Sequence, residues 1–226
     1  FAIWDKAQKK LYLCRDRVGV KPLYWYYKDG LFMFASELKA FHKHPKFRKN
    51  LNIEGLLFYL QYGYIPQFYS IFENTYKLEP GYFLVIDRNG NISKHQYWNV
   101  ESFFIKGKQE KDKWLKKSEE DLTQELEGIL TDSFKLRLVS DVPVGMFLSG
   151  GIDSSTVCAL LAKEGIKLKT FTIGFYEREY NEADYAKKIA EFLGTDHTEL
   201  YCSPKEASDV IPYLPDIYDE PFGDSS

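Results

Sequence analysis

Seven consecutive residues, Ser149-Gly150-Gly151-Ile152-Asp153-Ser154-Ser155, bring together two glycines, three hydroxyls and one carboxylate. They follow an apolar run, Val144 to Leu148, that has the character of a buried strand, and they precede Thr156 to Ala162, which has the character of a helix. A strand, a glycine-rich turn and a helix favour phosphate binding for physical reasons. Glycines let the backbone turn sharply and approach a ligand closely. The first N–H groups of a helix lack internal partners and point outward at an anion. Ser149, Ser154 and Ser155 add hydroxyl donors, and Asp153 is suited to a divalent cation that bridges phosphates. The kinase-type loop G-x-x-x-x-G-K-[ST] is a different device, since no lysine follows these glycines. At ordinary residue usage, a match at five fixed positions arises by chance on the order of once in a million starts.

The elements that must position this loop follow from the pattern around it. Leu122, Leu126, Ile129, Leu130 and Phe134 recur at helical spacing, which predicts an amphipathic helix over residues 119 to 138. A helix over 154–163, a strand over 168–174, a helix over 182–193 with Asn181 as N-cap and Gly194 as stop, a strand over 197–201 and a helix over 204–213 complete the series. Strands alternating with helices imply a parallel sheet covered by helices, with ligands beyond the carboxyl ends of the strands. The Ser149 loop and the end of the Phe171 strand are therefore expected to line one crevice. The first hundred residues differ. Leu11 to Cys14, Leu23 to Tyr27, Leu31 to Ala35 and Tyr82 to Ile86 are short strand patterns, with hairpin turns at Lys28-Asp29-Gly30 and Asp87-Arg88-Asn89-Gly90. Helices are expected over 37–42 and over 53–62, the second between Asn52 and Gly63. The charged stretch 106–113 marks a linker or exposed loop, with Glu110 and Asp112 interleaved among its lysines. The fold class is thus an α+β, strand-rich first domain over 1–98, a linker over 99–117, and an α/β parallel-sheet domain over 118–226.

Composition narrows the function classes. The chain has 226 residues, a net charge of -3 and 17% aromatic residues. No long basic run points to nucleic acid, and no apolar stretch approaches a membrane span. Cys14, Cys158 and Cys202 are widely spaced and odd in number, which makes no disulfide framework and fits a reducing, cytoplasmic setting. His42, His44, His95 and His197 lack zinc-ligand spacing. The chain begins at Phe1 within a strand pattern and stops at Ser226 without a closing element, so an internal piece of a longer protein is expected.

The S-G-G-x-D-S pattern resembles the pyrophosphate loop of the N-type ATP pyrophosphatases. Taken with Ser140 to Leu148, Phe171 to Phe175, Asn181 to Ala186 and Asp219 to Ser226, the second half is similar to the synthetase domain of the glutamine-hydrolysing asparagine synthetases. Arg15 to Tyr24 and Phe34 to Lys39 resemble the later part of that family's glutaminase domain. The resemblance implies an N-terminal-nucleophile glutaminase layer followed by an α/β sheet of the adenine nucleotide α-hydrolase type. It implies a ligase of asparagine biosynthesis. Mg-ATP adenylates the side-chain carboxylate of aspartate to β-aspartyl-AMP, and ammonia from glutamine hydrolysis displaces AMP. Aspartate, glutamine and ATP are then the small-molecule substrates, ATP and Mg2+ the cofactors, and a homodimer is compatible with this reading. By the same resemblance Leu148 and Ile173 meet the base, and Ser149, Gly150, Gly151, Ser154 and Ser155 cradle the pyrophosphate. Asp153 ligates magnesium, and Glu220 and Asp224 approach the substrate pocket.

No catalytic residue is assigned within the chain. The family's nucleophilic cysteine is expected upstream of Phe1, and its second signature, Ser-Gly-Glu-Gly-x-Asp-Glu, beyond Ser226. Cys14 sits mid-strand and presents no free α-amino group as a base, so a core role is expected. Asp16, Arg17 and Lys21 surround a glycine turn and suit a packing or domain-interface role better than catalysis. A fragment inactive by itself follows from these departures. Two rival readings are a β-lactam synthetase-like or other amide-forming ATP pyrophosphatase, and a nucleotide-binding relic without turnover. A GMP or NAD synthetase is disfavoured by the aromatic, strand-rich first half.

Overall fold

A computed structural model describes residues 1–177, 179 and 181–223. It is a mixed α/β structure with three sheets, and the chain divides into two compact units. The first comprises Phe1–Lys108 together with the segment from Pro212 onward, and the second comprises Gln109–Ile211.

The first unit holds two antiparallel sheets. Strands β1 (Ala2–Asp5), β2 (Lys10–Cys14), β6 (Tyr82–Asp87) and β7 (Ile92–Gln96) form one in the order β1-β2-β6-β7. Strands β3 (Tyr24–Lys28), β4 (Leu31–Ala35) and β5 (Thr75–Lys77) form the other in the order β4-β3-β5. Two-residue turns demand positive φ at both central positions, and Asp29 (φ 51°) and Gly30 (φ 76°) supply it between β3 and β4. At the β6–β7 turn, the Asp87 carboxylate accepts hydrogen bonds from the side chain and backbone of Asn91 and from the Asn89 N–H. Those bonds hold its carboxyl below the usual range.

Helix α1 (Ile53–Tyr62) starts where the Asn52 side chain accepts from the Glu54 and Gly55 N–H groups and stops at Gly63 in the left-handed region. The expected helix over 37–42 is a 3-10 helix, Leu38–Lys43. Its Leu38 and Phe41 join Tyr26, Phe47, Ile65 and Ile71 in one core cluster. Leu13, Leu78, Leu84 and Ile86 form a second cluster. At the glycine turn, packing falls to Arg15 and Asp16. The buried Arg15 guanidinium donates to Lys21 O, Gly19 O, Leu78 O and Gln67 Oε1. Asp16 accepts from the N–H groups of Val18, Val20 and Lys21.

The stretch expected as a linker is helical over much of its length, in α2 (Val100–Gln109) and α3 (Lys111–Trp114). Asn99 Oδ1 accepts from both the N–H and the hydroxyl of Ser102, an N-terminal brace sufficient to start a helix in polar sequence. Every residue of α2 is exposed.

In the second unit, β8 (Gly145–Phe147), β9 (Lys169–Phe175) and β10 (Asp196–Cys202) form a parallel sheet in the order β10-β9-β8. Helices α4 (Glu119–Arg137), α5 (Ile152–Lys163) and α6 (Ala183–Leu193) enclose a core of Leu148, Cys158, Leu161, Leu168, Ala186 and Ala190. The side chains of β9 alternate, with Thr170 and Thr172 buried and Phe171 and Ile173 exposed. On α4 the apolar stripe is only partly covered, since Leu126 and Ile129 remain exposed. The Asn181 carboxamide accepts from the Ala183 and Phe175 N–H groups, so it ties the start of α6 to the end of β9. The unit ends with α7 (Pro204–Val210), opened by a Ser203–Glu206 capping box.

From Pro212 the chain rejoins the first unit, through α8 (Leu214–Ile217). The Asp219 carboxylate accepts from Leu38 N–H (2.7 Å) and Lys39 N–H (3.2 Å), which caps the 3-10 helix. Glu220 accepts from Ile71 N–H (2.8 Å) and pairs with Lys77 (2.5 Å). Gly223 N–H donates to Gly63 O. Burial, then the nearby Glu220 and Asp219 carboxylates, push the Tyr24 phenol well above its usual range. Among the described residues no helix is long and apolar enough to cross a membrane.

Candidate functional site

The Ser149 loop sits where β8 ends and α5 begins. Leu148 anchors its entry. Its side chain is 1% exposed, its N–H donates to Phe171 O (2.9 Å), and its carbonyl accepts from the Thr172 hydroxyl. The carboxyl end of β8 is thereby fastened to β9, and the chain turns out of the sheet at a fixed place. Gly150 makes that turn at φ 83°, a conformation that L side chains disfavour. A Cβ there would lie 2.8 Å from Tyr185 Cβ and 3.0 Å from Ala186 N, so α6 is packed directly on the loop. Tyr185 and Ala186 carry no sequence signal for this role, because the contact spans some 35 positions.

The helix start lies earlier than expected, at Ile152. Gly151 occupies the N-cap position (φ -72°, ψ 161°), and its carbonyl takes the first helical bond from Ser155 N–H (3.1 Å). Among the described residues no side chain caps α5, as is also true of α3, α6 and α8, whereas Asn52, Ser118 and Ser203 close α1, α4 and α7. The opening amides of α5 therefore remain free donors at the positive end of the helix dipole. Hydroxyls gather beside them. Ser149 Oγ and Ser154 Oγ are 3.0 Å apart, and Ser154 Oγ accepts from Ser149 N–H (3.2 Å). Ser155 Oγ donates to Gly151 O (2.7 Å). Asp153 lies exposed in the first turn of α5.

Ser149, Gly150, Gly151, Asp153, Ser154 and Ser155 thus lie together where β8 turns into α5. Ile173 stands on β9, two residues beyond the Phe147–Phe171 pair, half exposed toward an apolar cavity of ≈380 Å³. Phe147, Phe171, Thr198 and Leu200 also line that cavity. Glu220 belongs to the first unit, where Ile71 N–H and Lys77 engage its carboxylate. Asp224 lies outside the described residues. Among the described residues no three His, Cys, Asp or Glu side chains converge as metal ligands. Asp153 is the one carboxylate of this loop, and magnesium generally takes one or two carboxylates and fills its shell with phosphate oxygens and water.

Replacing Gly150 tests the construction of the loop. Gly150→Ala adds left-handed strain of about 1–2 kcal/mol, with the Tyr185 overlap on top. The expected result is a lower thermal midpoint by circular dichroism together with weaker binding of an ATP analogue. Unchanged values of both would mean that the loop tolerates another backbone path.

Comparison with known proteins covers both halves of the chain. The asparagine synthase family model matches residues 125–226, and the glutamine amidotransferase domain model matches residues 1–98. A putative glutamine-hydrolysing asparagine synthetase 2 of Methanocaldococcus jannaschii is 39% identical over all of this chain and 43% of its own length. Glutamine-hydrolysing asparagine synthetase 1 of Bacillus subtilis is 32% identical over 99% of this chain and 34% of its own. Amidase chry2 of Gibberella zeae is 32% identical over 87% of this chain and 30% of its own. The chain thus spans less than half the length of these relatives. A solved NMN synthetase from Francisella tularensis aligns over 44% of this chain and 41% of its own, at 22% identity and a TM-score of 0.33.

Proposed function

This chain belongs to the glutamine-hydrolysing asparagine synthetase family, and on that premise we propose that its second unit binds ATP for adenylation of the aspartate side-chain carboxylate. One observation carries the reading. The uncapped start of α5 offers free amides and serine hydroxyls to an anion at the carboxyl end of a parallel sheet. In that assignment the unit is an α/β sheet of the adenine nucleotide α-hydrolase type, and the strand-rich first unit is part of a glutaminase domain. The domain bounds proposed are 1–98 and 118–226, with α2 and α3 between them as a connector, although the stretch from Pro212 packs with the first compact unit.

The reaction asks specific tasks of the cradle. A carboxylate oxygen attacks the α-phosphorus, the bond to the β-phosphate oxygen breaks, and pyrophosphate leaves. Ammonia then adds to the acyl carbon of β-aspartyl-AMP, a proton is lost, and AMP departs. The amides of α5 and the hydroxyls of Ser149, Ser154 and Ser155 hold the pyrophosphate while negative charge builds on it, the point where preorganised donors lower a barrier most. Asp153 would hold magnesium, which supplies charge neutralisation on the phosphates. Ile173 and the Leu148 backbone are assigned to the base.

The test is the co-product. The full-length protein should release AMP and pyrophosphate from Mg-ATP only when aspartate is present. Formation of ADP and phosphate would overturn the assignment. Replacing aspartate by other carboxylates in the same assay decides the acceptor, a point that identity leaves open because the amidase relative matches as closely as a synthetase does.

The glutamine half gives a second expectation. Cys14 is half-buried within β2, burial pushes the Cys158 thiol above its usual range, and the Cys202 thiol donates to Ser203 O. None is an amino-terminal residue with an α-amino base beside it. The 226-residue chain should therefore release no glutamate from glutamine. Glutaminase activity that disappears in Cys14→Ala would put the nucleophile in β2 instead.

A further inference from the structure

We propose that the pocket between the β3–β4 turn and the segment after Pro45 binds a small phosphate-class dianion. The pocket is a cavity of ≈620 Å³ in the first unit, separate in chain position from the Ser149 loop. That size suits a small molecule. Its walls carry Lys28 from the hairpin and Lys46 and Arg48 from the segment, with the hydroxyl-bearing Tyr26 and the turn residue Asp29. Three cations face one carboxylate here, in a chain whose net charge is -3.

Two further observations favour an anionic ligand. Among the described residues, none of Lys28, Lys46 and Arg48 forms an ion pair, although eight lysines elsewhere do. Tyr26, 1% exposed overall, lines the cavity beside the three cations and brings a phenol hydroxyl to it. Burial, with Asp29 adding to it, raises the Tyr26 phenol, so the group remains a protonated donor at neutral pH.

The walls are also held firmly. Phe47 is buried edge-on to Tyr26, with ring centres 5.2 Å apart, and it lies between Lys46 and Arg48 in sequence. The anchor that fixes the tyrosine therefore fixes the backbone from which both cations extend. A guanidinium fork with two ammonium groups and a phenol matches a tetrahedral dianion better than a single carboxylate, whose charge Asp29 would largely oppose. A nucleic acid would need a continuous basic stripe, whereas this site is concave and closed by a tyrosine.

Titrating the chain with inorganic phosphate, followed through backbone amide NMR shifts, tests the site. Saturable shifts are expected at Gly30, Leu31 and Phe47, with binding weakened by added sodium chloride. Lys46→Gln with Arg48→Gln should weaken phosphate at these amides by at least about tenfold. Both side chains are exposed, so folding should be unaffected. Tyr26→Phe removes only the hydroxyl and should cost roughly tenfold, the size of one hydrogen bond to a charged group. The amides of Gly150 and Gly151 report the other loop in the same spectra. Shifts confined to those two glycines, or shifts at Gly30 and Phe47 that survive the double substitution, would overturn the proposal. So would a DNA oligonucleotide that occupies this pocket more tightly than phosphate.

Discussion

Asp153→Asn in the full-length protein is expected to lower aspartate-dependent pyrophosphate release at least about a hundredfold, the scale on which one preorganised electrostatic contact acts. The substitution keeps size and shape and removes the charge. It leaves the fold alone, because Asp153 is exposed and engages no partner among the described residues. Magnesium prefers anionic oxygen, so a neutral amide is a poor replacement. Glutamine hydrolysis should survive in the same preparation, since it is assigned to the other unit. Assaying both activities on one variant separates a local charge effect from unfolding. Undiminished pyrophosphate release would make Asp153 no more than an acidic residue in a helix's first turn, placed there by the dipole.

That experiment targets the part of the molecule most legible in sequence. A strand, a turn and a helix are local objects, and the residues that build the Ser149 loop are adjacent. The same holds for α1, where Asn52 and Gly63 mark both ends and the structure agrees at each. Local signals faded where elements are short or polar. Strand β7 contains one apolar residue, Ile92, and β5 has three residues, so neither displays an alternating pattern. Helix α2 lies in a stretch whose composition suggests a linker, and the Asn99 brace that starts it is easily passed over. What sequence did not reveal at all is pairing over long distance. The packing of Tyr185 on Gly150 and the bonds from Asp219 and Glu220 to Leu38, Lys39 and Ile71 join residues that local periodicity cannot connect.

The Glu220 bonds give the other large expected effect. Lys77 and Glu220 retain only 14% and 9% of their side-chain exposure, and each has a further partner, Ile65 O for Lys77 and Ile71 N–H for Glu220. Removing one member of such a pair leaves the other charged and nearly dry, which costs about 3–5 kcal/mol. Lys77→Met should therefore destabilise the first unit by that amount in urea unfolding. Lys77→Met with Glu220→Gln should recover much of the loss, because no unpaired charge is left behind; a coupling above about 1 kcal/mol between the two positions is expected for groups in direct contact. The single variant Glu220→Gln distinguishes an anchor from a substrate-pocket residue. An anchor loses stability while the aspartate KM of the full-length enzyme holds in the folded fraction. A pocket residue raises that KM with stability intact. A change below about 0.5 kcal/mol in Lys77→Met, the range of ordinary surface substitutions, would mean that the pair is solvated and that the segment after Pro212 is held by its other contacts, those of Asp216, Asp219 and Gly223 among them.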